Sequence, residues 1–218
     1  MDNVVIHLVA PRDKSKWNEV WVKCFETIKR LPYKIKIWTD EEIDEILKKD
    51  DKEFYYQYFD RLPNIFKYDY IRYILLYRYG GIYMDMDVEV VEDFIPRLDP
   101  NMIYFMEGTR GTHVENSIMW AGNKGKQMWE HLKRISRVKM IEDVFFWADP
   151  VWNIMHYVGP WMMSEVTLRW YKKDVDYQIL GHEQFSNPKS AFSVAKHYST
   201  NVWFNPSTNM NGEKIMRT

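Results

Sequence analysis

Apolar and polar positions change period repeatedly along this chain. Val4 to Val9 is a short apolar run closed by Ala10-Pro11, the pattern of a buried strand followed by a loop. Trp17, Val20, Trp21, Cys24, Ile28 and Leu31 then recur at helical spacing up to Pro32, which predicts an amphipathic helix from about Lys14 to Arg30. Ile35 and Ile37 alternate with Lys34 and Lys36 as a half-buried strand does, and Thr39-Asp40-Glu41-Glu42 opens a second helix with a capping-box spacing. Asp50 to Arg61 reads as a short helix and turn closed by Pro63. Phe66 to Tyr79 reads as a strong helix, with Ile71, Ile74, Leu75 and Arg78 on one side and Gly80-Gly81 as its stop. Ile82-Tyr83-Met84 is a strand that runs into Asp85-Met86-Asp87. Strands are expected at Met102–Met106 and Ser117–Ala121, and a helix from Lys124 to Ser136. Trp147, Trp152, Trp161 and Trp170 fall in shorter helices, and the last strands are expected at Tyr177–Leu180 and Phe192–His197. This alternation predicts an α/β fold with a mostly parallel, Rossmann-like sheet flanked by helices, whose ligands bind beyond the carboxyl ends of the strands.

Length and composition narrow the picture. A chain of 218 residues without a repeat or a linker-like break is expected to form a single domain over 1–218. A formal net charge of -1 lacks the global positive charge that accompanies binding to phosphate backbones, so no nucleic acid partner is expected. Cys24 is the only cysteine, which excludes an intramolecular disulfide and a cysteine-based zinc cluster. No apolar run approaches the roughly 18 residues that span a bilayer, and the N-terminus lacks the pattern of a secretion signal. The expectation is a cytoplasmic protein without a transmembrane segment, held at a membrane only through a partner or surface patch. With 10 Trp, 15 Tyr and 11 Phe the chain carries more rings than its core requires, so some are expected to face a ligand.

The chemistry concentrates between Phe66 and Asp87. Asp85 and Asp87, spaced i, i+2 on an extended segment, point to one side and can share a hard divalent cation such as Mg²⁺ or Mn²⁺, which takes one or two protein carboxylates together with substrate phosphates. Asp69 and Arg72 share a helix face, so Arg72 can hold a phosphate or pair with Asp85, and Asp69 can accept hydrogen bonds from sugar hydroxyls. Gly80-Gly81 permits positive φ and the close approach of a ligand. His7 reads as a strand histidine with its needs met in the core, and Trp38 as core packing. Glu107 reads as a loop carboxylate with an acceptor-side role as the alternative, and Asn116 as turn chemistry or a donor to ligand hydroxyls.

The run Asp69-x-x-Arg72-Tyr73, Leu76-Tyr77-x-x-Gly80-Gly81-Ile82-Tyr83-x-Asp85-x-Asp87 resembles the sugar-binding region of family 32 glycosyltransferases, which include yeast initiating mannosyltransferases and bacterial polysaccharide enzymes. Weaker echoes are Ile6-His7, Ile37-Trp38-Thr39-Asp40, Asn116-Ser117, Gly159-Pro160, Phe185 to Pro188, and Ala195-x-His197 with Trp203. The resemblance implies a GT-A type fold with a helical and strand C-terminal part shaping the acceptor side. It implies a nucleotide-diphosphate sugar donor, UDP- or GDP-linked, with Mn²⁺ or Mg²⁺, and retaining transfer to a glycan, lipid-linked or protein hydroxyl. By the same resemblance Asp69, Arg72, Asp85 and Asp87 are the catalytic candidates. Asp69, Arg72, Gly80, Gly81, Tyr83, Asp85 and Asn116 would bind the donor, and Asp85, Asp87 and His197 the metal. The chain departs from the family pattern at Leu8-Val9-Ala10, so a ring stacking on the nucleotide must come from elsewhere, and at Val202-Trp203 in place of Ser-Trp, so a hydroxyl contact to metal or phosphate is absent at that position. Two other classes compete. One is a haloacid-dehalogenase-like phosphohydrolase with Asp85 as nucleophile, disfavoured by Glu89 and by the motif's late position. The other is a noncatalytic sugar-binding protein, which leaves Arg72 and Gly80-Gly81 unexplained.

Overall fold

A computed structural model describes residues 4–108, 111–142 and 150–200. Its centre is a six-stranded sheet of β1 (Val5–Val9), β2 (Lys34–Trp38), β3 (Ile82–Met84), β5 (Ile103–Glu107), β6 (Val114–Trp120) and β7 (Tyr177–Leu180), in the order β2-β1-β3-β6-β5-β7. β1 pairs in parallel with β2 and β3, and β5 with β7, whereas β6 runs antiparallel between β3 and β5. A two-stranded antiparallel sheet pairs β4 (Val88–Val90) with β8 (Ala195–His197).

Strand alternation builds the core. Ile6 and Leu8, Ile82 and Met84, Tyr104 and Met106, and Ile118 and Trp120 face one side, where Phe25 and Ile28 of α1 (Glu19–Ile28) cover them. Tyr83, Ile103, Phe105 and Met119 face the other side, covered by α5 (Lys126–Glu142) and α7 (Pro160–Trp170). α4 (Asn64–Tyr79) lies on this second side with α2 (Asp40–Asp50), the short α3 (Lys52–Phe54) and the π-helical turn Tyr55–Phe59. The remaining helices are α6 (Pro150–Tyr157) and α8 (His182–Phe185). Among the described residues, no helix is long and apolar enough to cross a membrane.

Several expectations shift for local reasons. α1 starts at Glu19 because Asn18 Oδ1 accepts from Trp21 N at 2.8 Å, while Lys14–Lys16 is a separate 3-10 turn capped by Asp13. Trp17 therefore precedes the helix; its Nε1 donates to Pro11 O at 2.9 Å and its ring meets Phe25 edge-on. α4 is buried nearly all round from Asp69 to Leu76, more than its apolar positions imply, because it is packed on several sides. Arg78 leaves that surface and pairs with Asp50. β6 begins three residues earlier than expected, so Asn116 sits inside a strand instead of in a turn.

Gly80 ends α4 at φ 65° and Gly81 follows at φ 75°. A Cβ on Gly81 would lie 2.3 Å from the Val5 carbonyl oxygen, so glycine here lets β3 enter the sheet against β1. His7 sits between rings: its Nδ1 accepts from Trp38 Nε1 at 3.1 Å and its Nε2 donates to Gly80 O at 3.0 Å. Those partners assign the neutral Nε2–H tautomer, and burial lowers the imidazole to about 4.

Two predictions follow from these contacts. Gly81→Ala combines an L-residue at positive φ with a backbone clash and should cost roughly 2–3 kcal/mol in urea denaturation. Below the ordinary histidine range the unfolded chain binds a proton at His7 that the folded chain refuses. The His7 contribution is thus complete above about pH 6.5 and is lost as pH falls towards 4, by up to about 3 kcal/mol. Urea midpoints measured across that window should slope for the wild type and flatten for His7→Asn.

Candidate active site

A cavity of about 800 Å³ opens beyond the carboxyl ends of β1 and β3, where an α/β sheet leaves room for a ligand. Val9, Ala10 and Pro11 leave β1 along its wall, and Ile65, Tyr68, Asp69 and Arg72 project from α4. Because β6 is antiparallel to β3, its early residues Glu115 and Asn116 lie past Met84, beside Asp85 and Asp87. Met155 of α6 and Pro160 of α7 close the far side, and His197 at the end of β8 enters it with Ser199 and Thr200 just beyond.

Arg72 joins three of these elements. Its guanidinium lies 2.8 Å from Asp69 Oδ1 and 3.1 Å from Asp85 Oδ1, and it donates to the Asn116 carbonyl at 2.9 Å and the Tyr68 carbonyl at 3.2 Å. It also covers the Tyr83 ring, whose hydroxyl donates to Asp85 Oδ1 at 2.8 Å. Burial opposes the arginine's charge, but the two carboxylates outweigh it and keep it protonated. Burial raises Asp69 to about 6, with Arg72 pulling the other way, and raises Asp85 against the same pull. A Cβ on Gly159 would lie 3.2 Å from Asp69 Oδ2, so the Gly159-Pro160 step lets α7 start against this carboxylate.

Asp85 and Asp87 come together, but not on a straight strand. Asp85 follows directly on β3, Val88 N donates back to Asp85 O at 3.1 Å, and the Asp85–Asp87 step is a turn with Met86 buried beneath it. The β4–β8 pairing then sets Val88 opposite His197 and brings the imidazole to the turn, with Nε2 3.4 Å from Asp87 Oδ1. Thr200 holds the other oxygen of Asp87 through its backbone N at 2.7 Å and its hydroxyl at 2.8 Å. Burial opposes ionisation of Asp87, yet His197 and Thr200 outweigh it and lower the carboxyl to about 2. Burial likewise opposes charge on His197, and Asp87 raises it nonetheless. Asp85, Asp87 and His197 each offer a ligand atom, all within 4.8 Å of one another. Two carboxylate oxygens and an imidazole form a donor set suited to a divalent cation of the Mg²⁺ or Mn²⁺ kind.

The structure thus gathers Asp69, Arg72, Tyr83, Asp85, Asp87, Asn116 and His197 around one cavity. Asn116 also presents a buried Nδ2 without a hydrogen-bond partner among the described residues. Gly80 and Gly81 are outside the lining, at the opposite end of β3, and their expected closeness to a ligand is replaced by closeness to β1. Trp38 packs on His7 and Tyr79. Glu107 accepts from His182 N at 2.9 Å and holds α8. Trp147, Val202 and Trp203 lie outside the described residues. Sequence reasoning missed Trp21, Lys16, Tyr68, Glu115 and Thr200 in the wall. Of these, only Thr200, three residues after His197, carried a positional hint.

Removing Arg72 leaves two buried carboxylates uncompensated. Arg72→Ala should cost roughly 3–5 kcal/mol in urea denaturation at neutral pH, and less in an Asp69→Asn background, where one of those charges is gone.

Residues 14–105 match the family described as a glycosyltransferase sugar-binding region containing a DXD motif, and Asp85-Met86-Asp87 is such a triplet. The chain is 29% identical over 160 residues to "Inositol phosphoceramide mannosyltransferase 3" of Schizosaccharomyces pombe, covering 72% of this chain and 42% of the relative. It is 30% identical over 164 residues to "Mannosyl phosphorylinositol ceramide synthase SUR1" of Saccharomyces cerevisiae, covering 72% and 38%. The chain therefore spans about two fifths of the length of these relatives. A solved "PaToxG Glycosyltransferase" superposes with a TM-score of 0.51 at 15% identity, over 77% of this chain and 69% of that one, a likeness of fold.

Proposed function

This chain belongs to the glycosyltransferase family whose sugar-binding region contains a DXD motif, and from that premise we propose a metal-dependent retaining glycosyltransferase using a nucleoside-diphosphate sugar. The observation that carries the reading is the charge of the cavity. Asp40, Asp69, Asp85, Asp87 and Glu115 line it against the fixed cations Lys16 and Arg72, and Arg72 is already shared by two carboxylates. A diphosphate would be repelled from such a wall on its own. It is accommodated when a divalent cation sits between it and the Asp85, Asp87 and His197 group.

Mn²⁺ or Mg²⁺ held by those three residues would neutralise the charge that develops on the leaving diphosphate. The protein's own groups divide the remaining tasks. Asp69 and the unpartnered Asn116 Nδ2 are placed to accept from and donate to sugar hydroxyls. Arg72 holds Asp69 and Asp85 in register and adds positive charge beside the reacting centre. Trp21 and Tyr68, at the β1 end of the cavity, supply the rings for the nucleoside that the first strand lacks. The names of the relatives point to a mannosyl donor and an inositol-phosphate lipid acceptor, which makes GDP-mannose the first donor to test. The phosphohydrolase alternative needs a free Asp85 nucleophile, whereas here both oxygens of Asp85 face Arg72 and one also accepts from Tyr83.

Purified protein with Mn²⁺ should slowly hydrolyse one member of a panel of GDP- and UDP-sugars, and EDTA should abolish this. Asp87→Ala should lower that turnover at least about 100-fold with the circular dichroism spectrum retained. Unchanged turnover in Asp87→Ala would overturn the metal assignment. Phosphate release from simple phosphomonoesters would favour the hydrolase, and sugar binding without turnover of any donor would favour a noncatalytic binding protein.

A further inference from the structure

A second hollow, of about 320 Å³, is lined by Thr112, His113, Trp161 and Ser164. It borders the donor cavity through hydrogen-bonded pairs, of which one is ionisable: His113 lines the hollow, Glu115 lines the cavity, and His113 Nε2 lies 2.9 Å from Glu115 Oε1. An ionised carboxylate only accepts, so Nε2 carries the proton, and Nδ1 accepts from Thr112 Oγ1 at 2.9 Å. Glu115 Oε2 takes no hydrogen bond among the described residues. A Cβ on Gly108 would lie 2.5 Å from the His113 ring, so a bare backbone there makes room for the imidazole.

The opposite wall is aromatic. Ser164 Oγ accepts from Val114 N at 2.9 Å and donates to Pro160 O at 2.7 Å, which ties the start of α7 to β6 and seats Trp161 at the hollow. Trp161 meets Trp152 edge-on at 4.6 Å and His156 at 4.8 Å, so its indole is braced by a ring cluster bridging α6 and α7. The volume is at the lower end of the ~300–1,000 Å³ of small-molecule sites, suited to one ring and not to a long chain. An indole face with polar groups opposite matches a hydroxylated six-membered ring, whose C–H face stacks while its hydroxyls bond outward.

We propose that this hollow is the acceptor subsite: a hydroxylated ring stacks on Trp161, and the free oxygen of Glu115 accepts from its reactive hydroxyl and orients it into the donor cavity. The assignment rests on the transferase reading. In transfer, the hydroxyl oxygen bonds to the anomeric carbon as that carbon's bond to the phosphate oxygen breaks. The hydroxyl proton leaves on the departing nucleoside diphosphate, so Glu115 acts as a positioning group and not as a proton sink.

The subsite can be tested without turnover. Saturation-transfer NMR on the full chain, with methyl α-D-mannopyranoside and myo-inositol as separate probes, should detect binding of at least one and so tell a sugar ring from a cyclitol. Trp161→Ala should weaken that binding at least fivefold, Trp161→Phe should retain most of it, and both should keep the wild-type circular dichroism spectrum. If the alanine variant misfolds, Trp161→Leu keeps apolar volume without the π face and should show the same loss. Equal binding by the wild type and these aliphatic variants, or binding of neither probe by the wild type, overturns the subsite. Failure of every nucleotide sugar in the donor panel would overturn the transferase reading separately, leaving ring binding at Trp161 intact.

Discussion

A guanidinium buried among two carboxylates, a phenol ring and two backbone carbonyls is the contact on which the rest of this site depends. Arg72 comes from α4, Asp85 from the end of β3, and the Asn116 carbonyl from β6. Each element is placed by its own apolar packing, but the carboxyl end of the sheet needs a specific cross-connection because three chain segments present polar groups there. One Arg supplies it, since its planar fork has donors for several acceptors at once, which a lysine ammonium would not reproduce. Burial raises Asp69 and Asp85 while Arg72 pulls both back toward the ionised form, and with more carboxylates than fixed cations in the wall the site holds negative charge that a cation can answer.

The Asp85, Asp87 and His197 group is built differently. Asp87 takes its geometry from a pairing between β4 and β8, which are separated by more than a hundred residues, and from Thr200 just after β8. The small sheet thus serves mainly to deliver one imidazole and one hydroxyl to the Asp85–Asp87 turn. Glu115 at the start of β6 bonds to His113 just before it, which shares the hollow with Trp161 of the α6–α7 ring cluster. The large cavity and the Trp161 hollow therefore meet near the start of β6, which runs antiparallel to its neighbours in the main sheet and so carries its early residues past the end of β3.

Much of the architecture was legible from periodicity. β1, β2, α2, α4, β3 and β7 follow directly from apolar spacing, capping residues and the Gly80-Gly81 stop, because each depends on local chemistry. The errors have physical causes. Asn18 capped α1 later than its apolar stripe suggested, a turn replaced an extended Asp85–Asp87, and the glycines expected beside a ligand serve β3 against β1. β4 escaped notice because a three-residue strand has almost no periodic signal of its own.

By itself the amino-acid order determined the α/β alternation and the dense Asp69-to-Asp87 motif, since helix faces, caps and i, i+3 neighbours are set within a few bonds. It also determined that His197 deserved attention, through resemblance. The tertiary structure alone decided that His197 and Thr200 meet Asp87, that Trp21 both packs on the core and lines the cavity, and that Glu115 in the cavity wall bonds to His113 in the wall of the hollow. Those outcomes rest on pairings across long stretches of chain, where the register of one strand against another, and not the identity of either residue, fixes which side chains share a space.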